Sequence, residues 1–548
     1  MALAADTAKP TFLKRALRNL RPTHEHSAYS ATLLLMAAIM LSRVIGYLRE
    51  AYIAYAFGAG PATDAYVAAF TLPDWVNYML AGGTASITFI SIFTRYTSEG
   101  REEDALKAFS TVITVMSAVL AIFIILAEFF TPQFTHWWFP DFTPHQVELC
   151  VFLTRVLLPG QLFFIIGGVV SAVLLSRRMF LIPALAPILY NLGIILGGVF
   201  LARRFGVASL AYGALAGAFA GPFFINVIGA ARTGVKYRFS FDIRHPGFVE
   251  WLAMSIPLML GVSLVAADDW IMRHFASGGS GDITRLNYAK RLFAVPIAVL
   301  GQAAGQASLP FFAKLFGERK HDEFSRVVSA SIFRISAASI LTSALMCVAA
   351  FPVIDLVYRR GHFNIADSRQ TAVYFFWFAM SLVFWSAQAL YARAYYAAGQ
   401  TLRPMLASTI VTVLSIPVYA SLFHRLGTPG LAMASDIGIV ANTLVLAVLL
   451  HLGSLVRAGD MPWGELGKVL LTAIIAAGAG WAVHGIVQGT ARNSELVEVV
   501  LISVTWAAAV AGGLWATRSI LPQELRRKRK APAQAGANGS SAVTTMEP

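Results

Sequence analysis

The chain has 548 residues, of which 57% are hydrophobic and 13% charged, and its formal net charge is +14. This balance excludes an ordinary water-soluble globular protein, whose surface could not hide so much apolar side chain. It also excludes a membrane β-barrel, because the apolar runs reach about 18 residues or more and lack the alternation of barrel strands.

Residues 1–27, with Lys9, Lys14, Arg15, Arg18 and Arg21, read as a cytoplasmic extension. The first apolar segment, from about Ser27 to Phe57, is too long for the apolar core of a signal peptide and is expected to stay as helix one. About 14 spanning segments are predicted. They centre on Leu34, Leu80, Val119, Phe164, Ile194, Leu215, Leu258, Leu300, Leu341, Phe378, Leu414, Val440, Ala477 and Ala507. An even number places both termini on one side. Lys and Arg accumulate in cytoplasmic loops, and Arg526, Arg527, Lys528, Arg529 and Lys530 follow the last helix. Both termini are therefore expected in the cytoplasm. The positive charge is spread over many short loops, which argues for topology and against nucleic-acid binding.

An internal echo divides the chain. Phe57-Gly-Ala-Gly-Pro-Ala-Thr-Asp64 matches Phe275-Ala-Ser-Gly-Gly-Ser-Gly-Asp282, and Ala85-Ser-Ile-Thr-Phe89 matches Ala307-Ser-Leu-Pro-Phe311, each pair six helices apart. A repeat of even helix number keeps its orientation in the membrane. The expected fold is an all-α polytopic membrane protein with two pseudo-symmetric six-helix lobes, 28–230 and 231–452, and two C-terminal helices within 453–520. A disordered basic cytoplasmic tail, 521–548, is expected from its Ala, Gly, Ser and Pro content.

The candidate functional residues are charges inside apolar spans: Arg43 and Arg49 in helix one, Arg155 in helix four, Asp268 and Asp269 in helix seven, Lys290 and Arg291 in helix eight. Each costs roughly 2.5 to 3.5 kcal/mol at a helix centre, so each is expected to face partners, an aqueous path or a ligand. Arg43 and Arg49, six residues apart, point about 120° away from each other and flank one wide face. With Arg291 they would suit an anion such as pyrophosphate, which guanidinium groups bind in bidentate fashion. Asp268 and Asp269 are candidates for coupling to an ion, with a salt bridge to Arg273 as the structural alternative. Gly213, Gly217 and Gly221 form a small-residue series suited to close helix contact, and Pro73, Pro159, Pro257 and Pro296 are candidate hinges. Cys150 and Cys347 suggest neither a disulfide nor a metal site, and His136, His145 and His362 fall in expected outer loops without metal spacing. No nucleotide-binding, zinc-protease or hydrolase motif is present, so an enzyme is not expected.

Ser42-Arg-Val-Ile-Gly-Tyr-Leu-Arg-Glu50, Phe57-Gly-Ala-Gly60 and Thr63-Asp-Ala65 resemble the opening of the MurJ (MviN) lipid II flippases. The resemblance continues through Ile182-Pro-Ala-Leu-Ala-Pro187 with Asn191, Tyr288-Ala-Lys-Arg-Leu292 with Pro296, Arg360-Gly-His-Phe363, and Arg393-Ala-Tyr-Tyr396 with Thr401 and Pro404. It implies a transporter of the multidrug/oligosaccharidyl-lipid/polysaccharide superfamily in the bacterial inner membrane. Its substrate would be lipid II, an undecaprenyl-pyrophosphate-linked disaccharide-pentapeptide, flipped outward by alternating access for cell-wall synthesis. Membrane lipids and cell-wall synthesis proteins would be its partners, with no cofactor. The coupling ion, whether Na+, H+ or Cl−, or a membrane potential in its place, stays open. The resemblance assigns substrate binding to Arg43, Arg49 and Arg291 with Asp64; Lys290 is added as a substitute cation. Its last two helices would hold the polyprenyl tail. The chain departs from the family pattern at Asn77, which stands for an arginine, and at Gly82 and Ala294, which stand for glutamates. Two competing readings are another lipid-linked oligosaccharide or drug exporter of the same superfamily, and a membrane scaffold that transports nothing.

Overall fold

The computed structural model describes residues 28–80, 84–177, 179–260, 264–489 and 495–523, and these are helical with no strand among them. The N-terminal extension, Gly82 and the basic tail from residue 524 lie outside the described residues.

The contacts divide the helices into two compact units, one running to Leu260 and the other taking Phe57–Gly60 and the helices from Leu264 onward. The first unit contains α1 (Ala28–Phe57), α2 (Pro61–Ala68), α3 (Thr71–Leu80), α4 (Thr84–Ser98), α5 (Glu102–Trp138), α6 (Pro144–Leu157), α7 (Gly160–Ser176), α8 (Leu181–Phe205), α9 (Ala208–Ala218), α10 (Asn226–Arg232) and α11 (Pro246–Leu260). The second contains α12 (Leu264–Phe275), α13 (Asp282–Pro296), α14 (Ala304–Gly317), α15 (His321–Val348), α16 (Ala350–Tyr358), α17 (Ile365–Met380), α18 (Leu382–Ala397), α19 (Leu402–Leu426), α20 (Thr428–Leu452), α21 (Trp463–Gly489) and α22 (Glu495–Ala516).

The sequence repeat puts a boundary near residue 230, whereas the contacts divide at Leu260. The reason lies in α11, whose Trp251 is fully buried among Phe89, Phe93 and Phe109 of α4 and α5. The second unit has its own core, built on Phe312, Phe324, Leu390 and Tyr395. Elsewhere large apolar side chains such as Phe129, Phe200, Leu452 and Trp515 stand exposed, as they do where lipid is the solvent.

Ten helices are long and apolar enough to cross a membrane among the described residues, or eleven with α17 and α18 counted as one span bent by 44°. The expected count of about 14 is therefore not reached by this measure. The segments centred on Leu34, Leu80 and Leu258 adjoin residues outside the described set and do not add to that number. Two expected hinges sit at interruptions: Pro159 between α6 and α7, and Pro296 at the end of α13, where a π-helical stretch, Ile297–Ala303, begins. A proline has no N–H to give to the preceding turn, so the helix must break or widen there. Pro73 instead lies in the first turn of α3, where its missing N–H costs little, and the side chain of Pro257 is outside the described residues. His136 and His145 belong to α5 and α6, and not to a loop.

The glycine series does bring helices together. A methyl group added to Gly213 would come within 2.5 Å of the Gly193 carbonyl oxygen, and one on Gly217 within 2.7 Å of that of Tyr190. One on Gly221 would meet the Ala186 oxygen at 2.4 Å. The helix carrying this series is therefore pressed backbone to backbone on α8.

Candidate functional site

In the first unit, α1 carries both arginines, and the structure treats them differently. Arg43 is exposed. Arg49 keeps 16% of its side chain exposed and forms an ion pair with Glu50, its neighbour in sequence. Its Nη1 also donates to Asn191 Oδ1 at 2.8 Å, while the Asn191 amide nitrogen donates to the Pro187 carbonyl at 2.9 Å. Adjacent residues on a helix do not ordinarily face each other, which is why spacing alone missed Glu50 as the partner. Asp64 is fully buried in the first turn of α2, where the helix dipole favours a carboxylate. Its counterpart in the repeat, Asp282, occupies the first turn of α13 and accepts from Arg285 at 2.8 Å and Thr428 at 2.6 Å.

In the second unit, Lys290 of α13 reaches both Asp268 and Asp269 of α12. Asp268 has only 1% of its side chain exposed and accepts from Tyr419 Oη and, at 2.9 Å, from Ser435 Oγ. Four elements thus meet at one carboxylate. The structure adds Lys290, from the next helix, to the partners expected of Asp268 and Asp269. Arg273 and Arg291 act electrostatically on Asp269. Lys290 and Arg291 are adjacent, hence about 100° apart on the helix, and they part company: Lys290 turns to the carboxylates, and Arg291 is exposed. Tyr419 and Ser435 gave no signal in the sequence, where a lone Tyr and Ser in apolar helices read as filler.

Arg155, also expected to be significant, sits 3.7 Å from Glu128 with about half its side chain exposed, a peripheral pair. At the positions that depart from the family pattern, Asn77 donates to Gln161 at 2.8 Å and Ala294 is exposed. No group of three or more His, Cys, Asp or Glu side chains suited to a metal ion occurs among the described residues.

Chemically, Arg43 and Arg291 are exposed permanent cations, and Arg49 and Lys290 are held against carboxylates. The family profile described as lipid II flippase MurJ matches residues 53–501. A lipid II flippase MurJ from Burkholderia cenocepacia is 27% identical over 512 residues, covering 89% of this chain and 97% of that one. A probable lipid II flippase MurJ from Rhizobium tropici is 26% identical over 435 residues, covering 78% and 80%. Among solved structures, a lipid II flippase MurJ in an inward closed conformation superposes with a TM-score of 0.74 at 21% identity, covering 88% of this chain and 99% of that one. An inward-facing MATE family multidrug transporter of the MOP superfamily superposes with a TM-score of 0.61 at 16% identity, covering 77% and 98%. At these identities the structures speak for the fold.

Proposed function

This chain belongs to the lipid II flippase MurJ family, and on that premise we propose that it moves lipid II across the bacterial inner membrane, from the cytoplasmic to the periplasmic leaflet. The observation that carries the residue-level reading is the separation of cations into two kinds. Arg49 and Lys290 are largely buried against carboxylates within their own units, whereas Arg43 and Arg291 are exposed on their helices, Arg291 also acting on Asp269. A guanidinium kept at such a place is costly unless something meets it, and a pyrophosphate offers the bidentate oxygens it binds best. Arg43 and Arg291 are the headgroup contacts in this reading. Arg49, with Glu50 and Asn191, holds the local field, and Asp64 fixes the start of α2.

Alternating access would carry the headgroup while the tail stays in the bilayer, and any coupling ion would act by binding the inward and outward states unequally. Both termini lie in the cytoplasm, as the loop charges favour. The likeness to a MATE transporter keeps a second reading in play, export of another lipid-linked oligosaccharide or of a drug; exposed arginines in both units speak against a cationic drug. The test is rescue of cells depleted of their own lipid II flippase, together with transport of labelled lipid II in vesicles. The wild-type chain should rescue, and R43A and R291A should insert stably and fail. Full rescue by both variants would remove the site assignment. Failure of the wild type in both assays would favour the second reading.

A further inference from the structure

The carboxylates that the sequence offers for ion coupling, Asp268 and Asp269, already share a tethered cation in Lys290. A third carboxyl of the second unit, Asp436, sits on the spanning helix α20, one residue beyond the Ser435 that bonds Asp268. Its Oδ1 is buried and has no hydrogen-bond partner. Of the helices packed on α20, α17 and α18 contribute to this carboxyl only Ser381, at the bend between them, and α12 contributes Asp268, a like charge. Tyr419 of α19 and Cys347 of α15 feel the charge of Asp436 in turn. No Lys, Arg or His among the described residues acts on it.

The bend is where α17 stops, and the last carbonyls of a helix need donors from outside its own ladder. Ser343 Oγ of α15 donates to the Ala379 carbonyl at 2.6 Å, and the buried Ser381 Oγ donates to that of Phe378 at 3.0 Å. A hydroxyl has one hydrogen to give. While Ser381 gives it to Phe378, the Asp436 carboxyl can bond the Ser381 oxygen only by donating, which requires a proton on Asp436. An ionised Asp436 accepts and donates nothing, so it draws the Ser381 hydrogen to itself in a charge-assisted bond. The Phe378 carbonyl is then left with the longer bond from the Ser381 N–H, 3.2 Å. A bare carboxylate in a spanning helix is costly, and a carboxyl that keeps its proton is far less so.

We infer that Asp436 is a proton-binding site whose proton sets, through Ser381, the hydrogen bonding of the α17–α18 bend. The occupant is a proton and not a metal ion, because a hard cation takes about six oxygen ligands and Ser381 is the single neutral group that acts on this carboxyl. The proton comes from water and returns to it, and no other covalent bond changes. The two helices meet at 44°, and a proton that fits one geometry of the bend better than another shifts the balance between them. Every residue in this arrangement belongs to the second unit. The site stands whether or not the passenger is lipid II, so its test needs no substrate.

The full chain in lipid nanodiscs, spin-labelled at V373C and Y396C, two exposed positions on either side of the bend, reads it through the distance between the labels at about pH 5 and about pH 9. The otherwise wild-type chain should show two distances, and infrared difference spectra between the same conditions should contain a protonated-carboxyl band that belongs to Asp436. D436N, whose amide donates to Ser381 Oγ as the protonated acid does, should hold the low-pH distance at both pH values and lose that band. S381A should keep the band while its label distance no longer follows pH, and it serves if D436N does not fold. A single distance at both pH values in the otherwise wild-type chain, a distance response that persists in D436N or in S381A, or an infrared spectrum unchanged by D436N would overturn the inference.

Discussion

The two units carry the same cost, charge inside apolar helices, and meet it by different means. In the first, Arg49 is matched by the residue beside it and steadied by one amide from α8. In the second, Lys290 is matched across 22 residues of chain by Asp268, whose other bonds come from Tyr419 and Ser435, 151 and 167 residues away. In the first arrangement the ion pair is between neighbours in sequence, with one bond reaching α8. The second ties α12, α13, α19 and α20 together and makes that unit rigid around one carboxylate.

The largest effect should come from cutting the second network. Lys290→Met strands Asp268 with 1% exposure, and losing one partner of a buried pair costs about 3 to 5 kcal/mol. Thermal unfolding in detergent should show it, and the double variant K290M/D268N should recover much of the loss. If K290M unfolds like wild type, the second unit is not organised by this carboxylate. Next comes Arg49→Ala, which leaves Glu50, 7% exposed at its side chain, without its cation and should cost about 2 to 3 kcal/mol. The companion variant R43A should unfold within about 0.5 kcal/mol of wild type and yet abolish flipping. Equal destabilisation by both arginine variants would erase the distinction between matched and presented cations.

A smaller contrast concerns helix pairing. The contact of α8 with α9 is made by glycines, whereas α19 and α20 are joined by a bond from Ser408 to Asn442 at 3.0 Å. Gly213→Ala should cost about 1 to 3 kcal/mol through overpacking, and Ser408→Ala only about 1 kcal/mol; the same unfolding assay would reverse the order if the glycine contact can relax. The smallest effect is a matter of pH at His245, which lies between α10 and α11. Burial, helped by Lys107, lowers its affinity for a proton below that of a free imidazole, and its Nδ1 accepts from the Gly247 N–H at 3.2 Å, which requires the unprotonated ring. The folded state therefore binds the proton less tightly than the unfolded chain. Stability from this group is full above about pH 6.5 and declines as pH falls. H245N should flatten the pH dependence of unfolding between about pH 5 and 7.

Several features were legible from residues alone because their cause is local. Hydrophobic runs require helices, a proline such as Pro159 requires a break, and a small-residue series such as Gly213 and Gly217 permits close packing. The intramembrane charges were equally visible, since composition alone makes them expensive. What each charge does was not visible. Arg43 and Arg49 look alike in sequence, as do Lys290 and Arg291, and the structure buries one of each pair against a carboxylate and leaves the other exposed. The bend at Ser381 and the partners Tyr419 and Ser435 had no sequence signal, because nothing local distinguishes them from other residues in apolar helices.

The sequence by itself determined the solvent, the helical class and the resemblance to the family, all of which follow from the order and spacing of residue types along the chain. Only the tertiary structure decided which cation is buried against a carboxylate, where the first unit ends and where a carboxyl meets a helix bend. Those depend on side chains far apart in sequence meeting in low dielectric, where a few ångströms separate a neutralised charge from one available to a ligand.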